Sequence, residues 1–185
     1  MNEEFQPSKL KMALLNLKAK SFKRNKGAIN FRYAKNFIIA YEVLENNDQQ
    51  IALIEDFADY LKQNGKIVSK IIIYPGKDTK NIPVPADRNR WNFCQADFNW
   101  YGFPKADGLQ MILKQPSDFF INLDMSFSYK TIVMASMSNS IARVSLWQEN
   151  YPAFFDILLK QNETPNLNQY ICDLKDCFKH LQWKN

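Results

Sequence analysis

Glycine is scarce in this chain: there are five in 185 residues. Neither G-x-G-x-x-G nor G-x-x-x-x-G-K-[ST] occurs. The tight turns that let backbone approach a pyrophosphate or a triphosphate are therefore missing, which argues against a dinucleotide or P-loop enzyme. Histidine is scarcer still. His180 stands alone, so any Ser–His or Cys–His nucleophile would have to use it. Its neighbours Lys179, Trp183 and Lys184 read as a solvated terminus. The three cysteines, Cys94, Cys172 and Cys177, are too few and too irregular for a disulfide framework. The lack of a C-x-x-C pair and the single histidine argue against a structural zinc site, and buried reduced thiols are expected. No apolar run approaches the roughly 18 residues that a transmembrane helix needs. No cofactor and no metal are expected, and the chain reads as cytoplasmic.

Hydrophobic residues make up 46% of the chain, enough for one domain with a good core and too many for disorder. The net charge of +5 is unevenly spread. Residues 1–35 hold nine cations against two anions, a balance of +7, while the rest holds 15 against 17. The body is mildly acidic and the basicity belongs to an N-terminal arm, a usual device for meeting phosphates or anionic surfaces. The arm reads as a helix. Ser8 is placed as N-cap behind Pro7, and Gly27 as the stop after Lys23–Lys26. Leu10, Leu14 and Leu17 form a stripe at i, i+4, i+7, widened by Met12, Leu15, Ala19 and Phe22. Broken by Lys and Asn, with no small-residue cleavage site, it is not a secretory signal. Two readings stand: the stripe packs on the domain with its lysines in water, or the arm docks on a nucleic acid or a membrane surface. The second nominates Lys9, Lys11, Lys18, Lys20, Lys23, Arg24 and Lys26.

The body, residues 36–185, reads as alternating strands and helices. Asn36–Val43 is a buried strand. A turn at Asn46–Asp48 leads into a helix over Gln49–Asn64 that stops at Gly65. Lys66–Tyr74 is the second strand, so the first third is a right-handed βαβ unit. A polar loop fills 75–90, and a strand is expected over Phe93–Phe98. Then follow a helix over Asp107–Lys114, a strand over Asp118–Asp124, a helix over Phe127–Ser138 and a strand over Ile141–Trp147. Ala153–Lys160 reads as strand or helix, with strand preferred, and a C-terminal helix covers Asn168–Gln182. The expected fold is α/β: one three-layer Rossmann-like domain with a mainly parallel sheet, plus the basic helix.

In such sheets ligands bind beyond the carboxyl ends of the strands. That rule nominates Glu42, Lys77, Asn122, Asp124, Ser126 and Trp147. Asn122 and Asp124 share a strand face, with Ser126, Ser128 and Lys130 near the next helix start. The competing reading makes Asp124 and Ser126 ordinary turn and cap residues. A second cluster is aromatic: Trp91, Phe93, Phe98, Trp100, Tyr101 and Phe103, with Arg88 and Arg90 alongside. Arginine plus exposed rings holds single-stranded nucleic acid. It also anchors protein partners, for which Trp91, Trp100, Tyr101 and Phe103 are the candidates. Plain covering of a sheet edge is the third reading.

Two stretches carry a resemblance. NFIIAYEV…KIIIYP and NWYGFPK…SDFFINLDMSFSYKTIVMASMSNSIARVSLW resemble a family of short uncharacterised α/β proteins from Bacteroidota, across roughly residues 10–182. The Asp118–Trp147 unit is also similar to the acceptor-side half of heptosyltransferase-type glycosyltransferases. A polar-ended strand leads there to a small-residue helix and a basic strand. Those enzymes carry a second domain for the nucleotide sugar, which this chain is too short to hold. Their early Gly-Asp turn is replaced here by Tyr41-Glu42, and Leu146-Trp147 stands where a glycine is usual. The resemblance thus implies a half-sized Rossmann-like fold with no catalytic residue to carry over. The expected function is non-enzymatic docking on an anionic partner (RNA, a ribonucleoprotein or a membrane surface). The alternative is a small enzyme or ligand sensor using the strand-end crevice.

Overall fold

The computed structural model describes residues 8–24, 26–27, 29–43, 48–77, 87–149, 152–161 and 164–181. Pro7, the Asn46–Asn47 turn, most of the 75–90 loop and the Trp183–Lys184 surroundings of His180 lie outside the described residues.

Six strands form one sheet: β1 Asn36–Glu42, β2 Ile67–Ile73, β3 Arg90–Phe93, β4 Ser117–Asn122, β5 Ser140–Leu146 and β6 Ile157–Leu159. Their order is β3-β2-β1-β4-β5-β6, and every pairing is parallel. This is a doubly wound order, whose switch point falls between β1 and β4. Both faces of the sheet are covered, which explains why its central strands read as continuous apolar runs. From β1, Phe37, Ile39 and Tyr41 face one side; Ile38 and Ala40 face the other. Helices α2 (Asp48–Gln63) and α5 (Leu167–His180) cover the first side, through residues such as Ile54, Phe57, Leu61, Tyr170, Leu174 and Phe178. Helices α3 (Asp107–Lys114) and α4 (Tyr129–Met137) cover the second, through Leu109, Ile112, Met134 and Ala135. Gly65, at φ 73°, takes the left-handed conformation that ends α2.

Helix α1 (Lys9–Ser21) lies outside α4. It starts where expected, with the Ser8 hydroxyl accepting from the Lys11 N–H at 3.4 Å. It ends earlier than expected, because Phe22 is already extended. The tertiary reason is Arg24. Its guanidinium donates to the carbonyls of Ser140 and Ile141 and pairs with Asp156, pulling the chain off the helical path. The packed ridge also differs from the expected leucine stripe. Leu15 is fully buried against Ile132, Val133, Phe103 and Phe154, with Met12, Leu14 and Ala19 beside it. Leu10 and Leu17 point outward, 61% and 66% exposed. As a result α4 is enclosed on both sides, which is why residues 131–136 are buried all round it.

Two strands differ from expectation. The one expected over Phe93–Phe98 runs instead over Arg90–Phe93, followed by a 3-10 turn at Gln95–Asp97. The Asp97 carboxylate accepts from the Cys94 N–H at 2.8 Å, turning the chain out of the sheet. The 153–160 segment splits into a 3-10 turn at Pro152–Phe154 and the short edge strand β6. Of the thiols, Cys94 is buried, Cys177 half-buried and Cys172 exposed, so burial of all three does not hold.

Candidate functional site

Beyond the carboxyl ends of β1 and β4 the fold brings together four of the six nominated residues. Glu42 closes β1, and its Oε1 lies 3.0 Å from Lys130 Nζ at the start of α4. The Glu42 carbonyl accepts from the Gln50 amide of α2 at 3.2 Å. Asn122 ends β4. Its Nδ2 donates to Ser145 Oγ at 3.4 Å and its Oδ1 accepts from the Asp124 N–H at 3.2 Å. The Asp124 carboxylate accepts four hydrogen bonds: from the N–H and hydroxyl of Ser126 (3.0 and 2.6 Å), the Ser128 N–H (2.6 Å) and the Thr131 hydroxyl (3.0 Å). Burial pushes this carboxyl above its ordinary range, the Ser126 and Ser128 hydrogen bonds working against that and the Glu42 charge with it.

These contacts make a turn. Asn122 and Asp124 each bond to backbone two residues on, the Asx pattern, and Asp124 adds an anion at the start of α4. Phe127, at φ 53°, is the one described non-glycine residue in the left-handed region, and it sits inside this turn. The polar groups of the crevice are thus turned on one another. Lys77 is not among them: it is exposed four residues past β2, where its carbonyl accepts a 3.7 Å contact from the Cys94 thiol. Trp147 is half-exposed one residue past β5, and its N–H donates to the Leu159 carbonyl.

Beside the crevice lies a feature the sequence did not disclose. A cleft of about 330 Å³ opens between the first turns of α2 and α5, lined by Gln49, Gln50, Leu53, Met125, Asn166, Leu167 and Asn168. Among the described residues its lining is amide and apolar, without a charged side chain. Among the described residues no three His, Cys, Asp or Glu side chains are placed to hold a metal ion, and His180 is exposed in the last turn of α5.

The basic arm presents a different surface. Lys9, Lys18, Lys20, Lys23 and Lys26 are exposed, and Lys11 is half-buried with its Nζ 5.9 Å from the Tyr129 ring centre. Lys26 also lies 3.8 Å from Asp156. Arg24 is spent inward on Asp156 and the β5 carbonyls, so it belongs to the fold and not to the outer face. Helix α1 carries no acidic residue.

Next to α1 stands the aromatic loop. The Asn99 side-chain oxygen accepts from the Tyr101 and Phe103 N–H groups at 2.9 and 3.0 Å, and Asn99 and Phe103 also pair through backbone at 2.9 Å. Gly102 sits at φ 81°, and a Cβ there would stand 2.9 Å from the Tyr129 ring. Only glycine fits. Phe103 is buried under α1, with Lys18 Nζ 5.2 Å from its ring centre. Trp91 is half-buried against the α3 side of the sheet. For these two rings, packing is the observed role. Trp100, by contrast, is 85% exposed at the tip of a loop whose Asn99, Tyr101, Gly102 and Phe103 N–H groups are all hydrogen-bonded within it, with Tyr101 39% exposed beside it.

The fold and its strand order define a three-layer α/β protein with a parallel, Rossmann-like sheet. The sequence matches the family model of a family of unknown function (DUF6913) across residues 8–181, and the chain belongs to that family. No curated protein and no solved structure is detectably similar to it. Among the described residues, no helix is long and apolar enough to cross a membrane.

Proposed function

We propose that this chain is a non-enzymatic, cytoplasmic binding protein that docks on an anionic partner through the outer side of α1. One observation carries the reading. The helix bears four lysines and no acid, its inner ridge is anchored by Leu15, and its outer side is left to solvent. The α/β body then acts as a platform that fixes the orientation of a cationic helix. RNA, a ribonucleoprotein and a membrane surface all offer the complementary charge. The test is binding against salt for the wild type and a Lys9→Gln/Lys18→Gln/Lys20→Gln/Lys23→Gln variant. Loss of four contacts should flatten the log–log salt slope by about 3 to 4. An unchanged slope overturns the reading. Deleting the arm is a poorer test, because it would also uncover Ile132 and Val133.

A second reading rests on the cleft between the α2 and α5 starts. It lies at the strand ends where doubly wound sheets bind ligands. Here the chain is a ligand sensor or small enzyme, a degenerate relative of heptosyltransferase-type glycosyltransferases within a Bacteroidota family. A thermal-shift screen of nucleotides and sugar nucleotides tests it. A ligand at 100 times its Kd stabilises by about 2.7 kcal/mol, roughly 5–11 °C for a chain of this size. A flat screen removes this reading and leaves the first untouched.

A further inference from the structure

Helix α1 is apolar on two sides. The inner ridge is used up against α4. The outer one, Leu10 and Leu17, is seven residues long in spacing, close to two turns, so both side chains lie along one line of the helix. They are 61% and 66% exposed, and lysines flank them. Beside the helix, Trp100 is held at 85% exposure by a loop that Asn99 and Gly102 make rigid. Single exposed leucines need no explanation, but here two leucines on one line and lysines without acids share α1, and the loop that presents Trp100 meets that helix through Phe103.

The chemistry of this region selects among anionic partners. RNA offers phosphates to lysine and flat bases to rings, but gives a branched alkyl side chain little to bind. A second copy meeting this one through the same face brings the same acid-free lysines to the contact, so like charges would meet. A bilayer with anionic headgroups takes all three components. Lysines pair with headgroups, leucines enter the upper acyl region, and tryptophan settles at the boundary between them.

We propose that α1 and the Asn99–Pro104 loop form a membrane-docking face, with Leu10, Leu17 and Trp100 entering an anionic leaflet and Lys9, Lys18, Lys20 and Lys23 pairing with its headgroups. The inference rests on reading α1 as the docking element and adds the identity of the partner. Such a protein is peripheral: it lies on the surface, and its binding combines modest apolar burial with charge, so it is reversible and salt-sensitive. The pinned loop has a purpose in this arrangement. A ring ordered before contact loses little conformational freedom on insertion.

The experiment uses the full chain and three probes: vesicles of phosphatidylglycerol with phosphatidylcholine, vesicles of phosphatidylcholine alone, and a single-stranded RNA homopolymer. Two variants are compared, Leu10→Ser/Leu17→Ser/Trp100→Ser and the four-lysine Gln variant. All the altered side chains are exposed, and circular dichroism with thermal melting checks that the fold is kept. Anionic vesicles should sediment the wild type and neutral ones should not. Each variant should lose at least tenfold in partition to anionic vesicles. Tryptophan emission should shift to the blue on binding in the wild type, and that shift should shrink in Trp100→Phe. If the apolar variant binds anionic vesicles as the wild type does, insertion is overturned while charge-driven docking survives. If RNA is bound and vesicles are not, the lipid assignment falls and the docking reading stands with RNA as the partner. If no probe is bound, or the lysine variant binds all of them unchanged, both fall.

Discussion

Replacing Leu15 by alanine tests whether α1 belongs to the folded body. Leu15 is fully buried, and the groups around it (Ile132, Val133, Phe103 and Phe154) sit on three other segments. Alanine there removes three carbons from a site whose walls are fixed by the sheet below α4. The expected loss lies in the range of about 2–4 kcal/mol for such truncations. With a urea m-value of about 2 kcal/mol/M, the midpoint should fall by roughly 1–2 M at unchanged slope. Leu17→Ala is the control. Two residues along the same helix but 66% exposed, it should stay within about 0.5 kcal/mol of the wild type. The pair separates packing from helix propensity, because both exchange Leu for Ala in the middle of one helix. Detachment of α1 before the body unfolds would cap the loss at the docking free energy. It would also expose Ile132 and Val133, and amide exchange over residues 131–136 would rise in Leu15→Ala alone. Equal midpoints for the two variants, with no change in exchange, would refute the placement of α1.

Arg24→Ala should cost about 2–3 kcal/mol, since it leaves the Asp156 carboxylate with the Arg143 N–H and a distant lysine and strips the Ser140 and Ile141 carbonyls of a donor. In a double-mutant cycle with Asp156→Ala the two losses should fall well short of adding, and strict additivity would sink the clamp. Gly102→Ala must hold a left-handed backbone and displace the Tyr129 ring, a loss of about 1–3 kcal/mol by chemical denaturation. A neutral result there would mean that the loop is not pinned. Tyr41→Phe should be neutral or stabilise by about 1 kcal/mol, because the Tyr41 hydroxyl is buried without a hydrogen-bond partner among the described residues. A clear loss would show that the hydroxyl is engaged. Asp124 sets a pH signature. Burial raises its folded pKa, so the folded state binds the proton more tightly than the unfolded chain does. Its contribution is most favourable at pH below the ordinary carboxylate value and is lost as pH rises through the folded value. Measured from about pH 4 to 7, wild-type stability should fall relative to Asp124→Asn as pH rises, and parallel profiles would refute the shift.

The parts of this fold that were legible in the sequence are those where one local signal and the tertiary partner agree. The β1 and β4 runs are apolar because both sheet faces are covered, and α3 and α5 carry a single stripe with a single place to bury it. The strand-end rule found Glu42, Asn122, Asp124 and Ser126 together, since it depends only on strand direction. It could not show that their polar groups would bond to one another, because side-chain pairing at a turn is set by loop geometry. The cleft between α2 and α5 escaped for a related reason: its walls come from three segments far apart in the chain.

Helix α1 failed in a more informative way. Leu10, Leu14 and Leu17 fit helical spacing, and so do Met12, Leu15 and Ala19. Periodicity alone ranks the ridge with more leucines first. The fold packs Met12, Leu15 and Ala19 with Leu14 alone of the leucine stripe, because Arg24 ties the following segment to β5 and so fixes which side of α1 meets α4. Had α1 carried only one apolar ridge, burial would have left it polar outside and unremarkable. It carries two, and of the leucine stripe the sequence favoured as core only Leu14 packs, while Leu10 and Leu17 are left in water. Exposed leucines on a helix that already has its packing ridge are not needed for folding. A mismatch of this kind is what a surface selected for contact produces, and it is the physical basis for looking to α1, and not to the strand ends, for what this protein does.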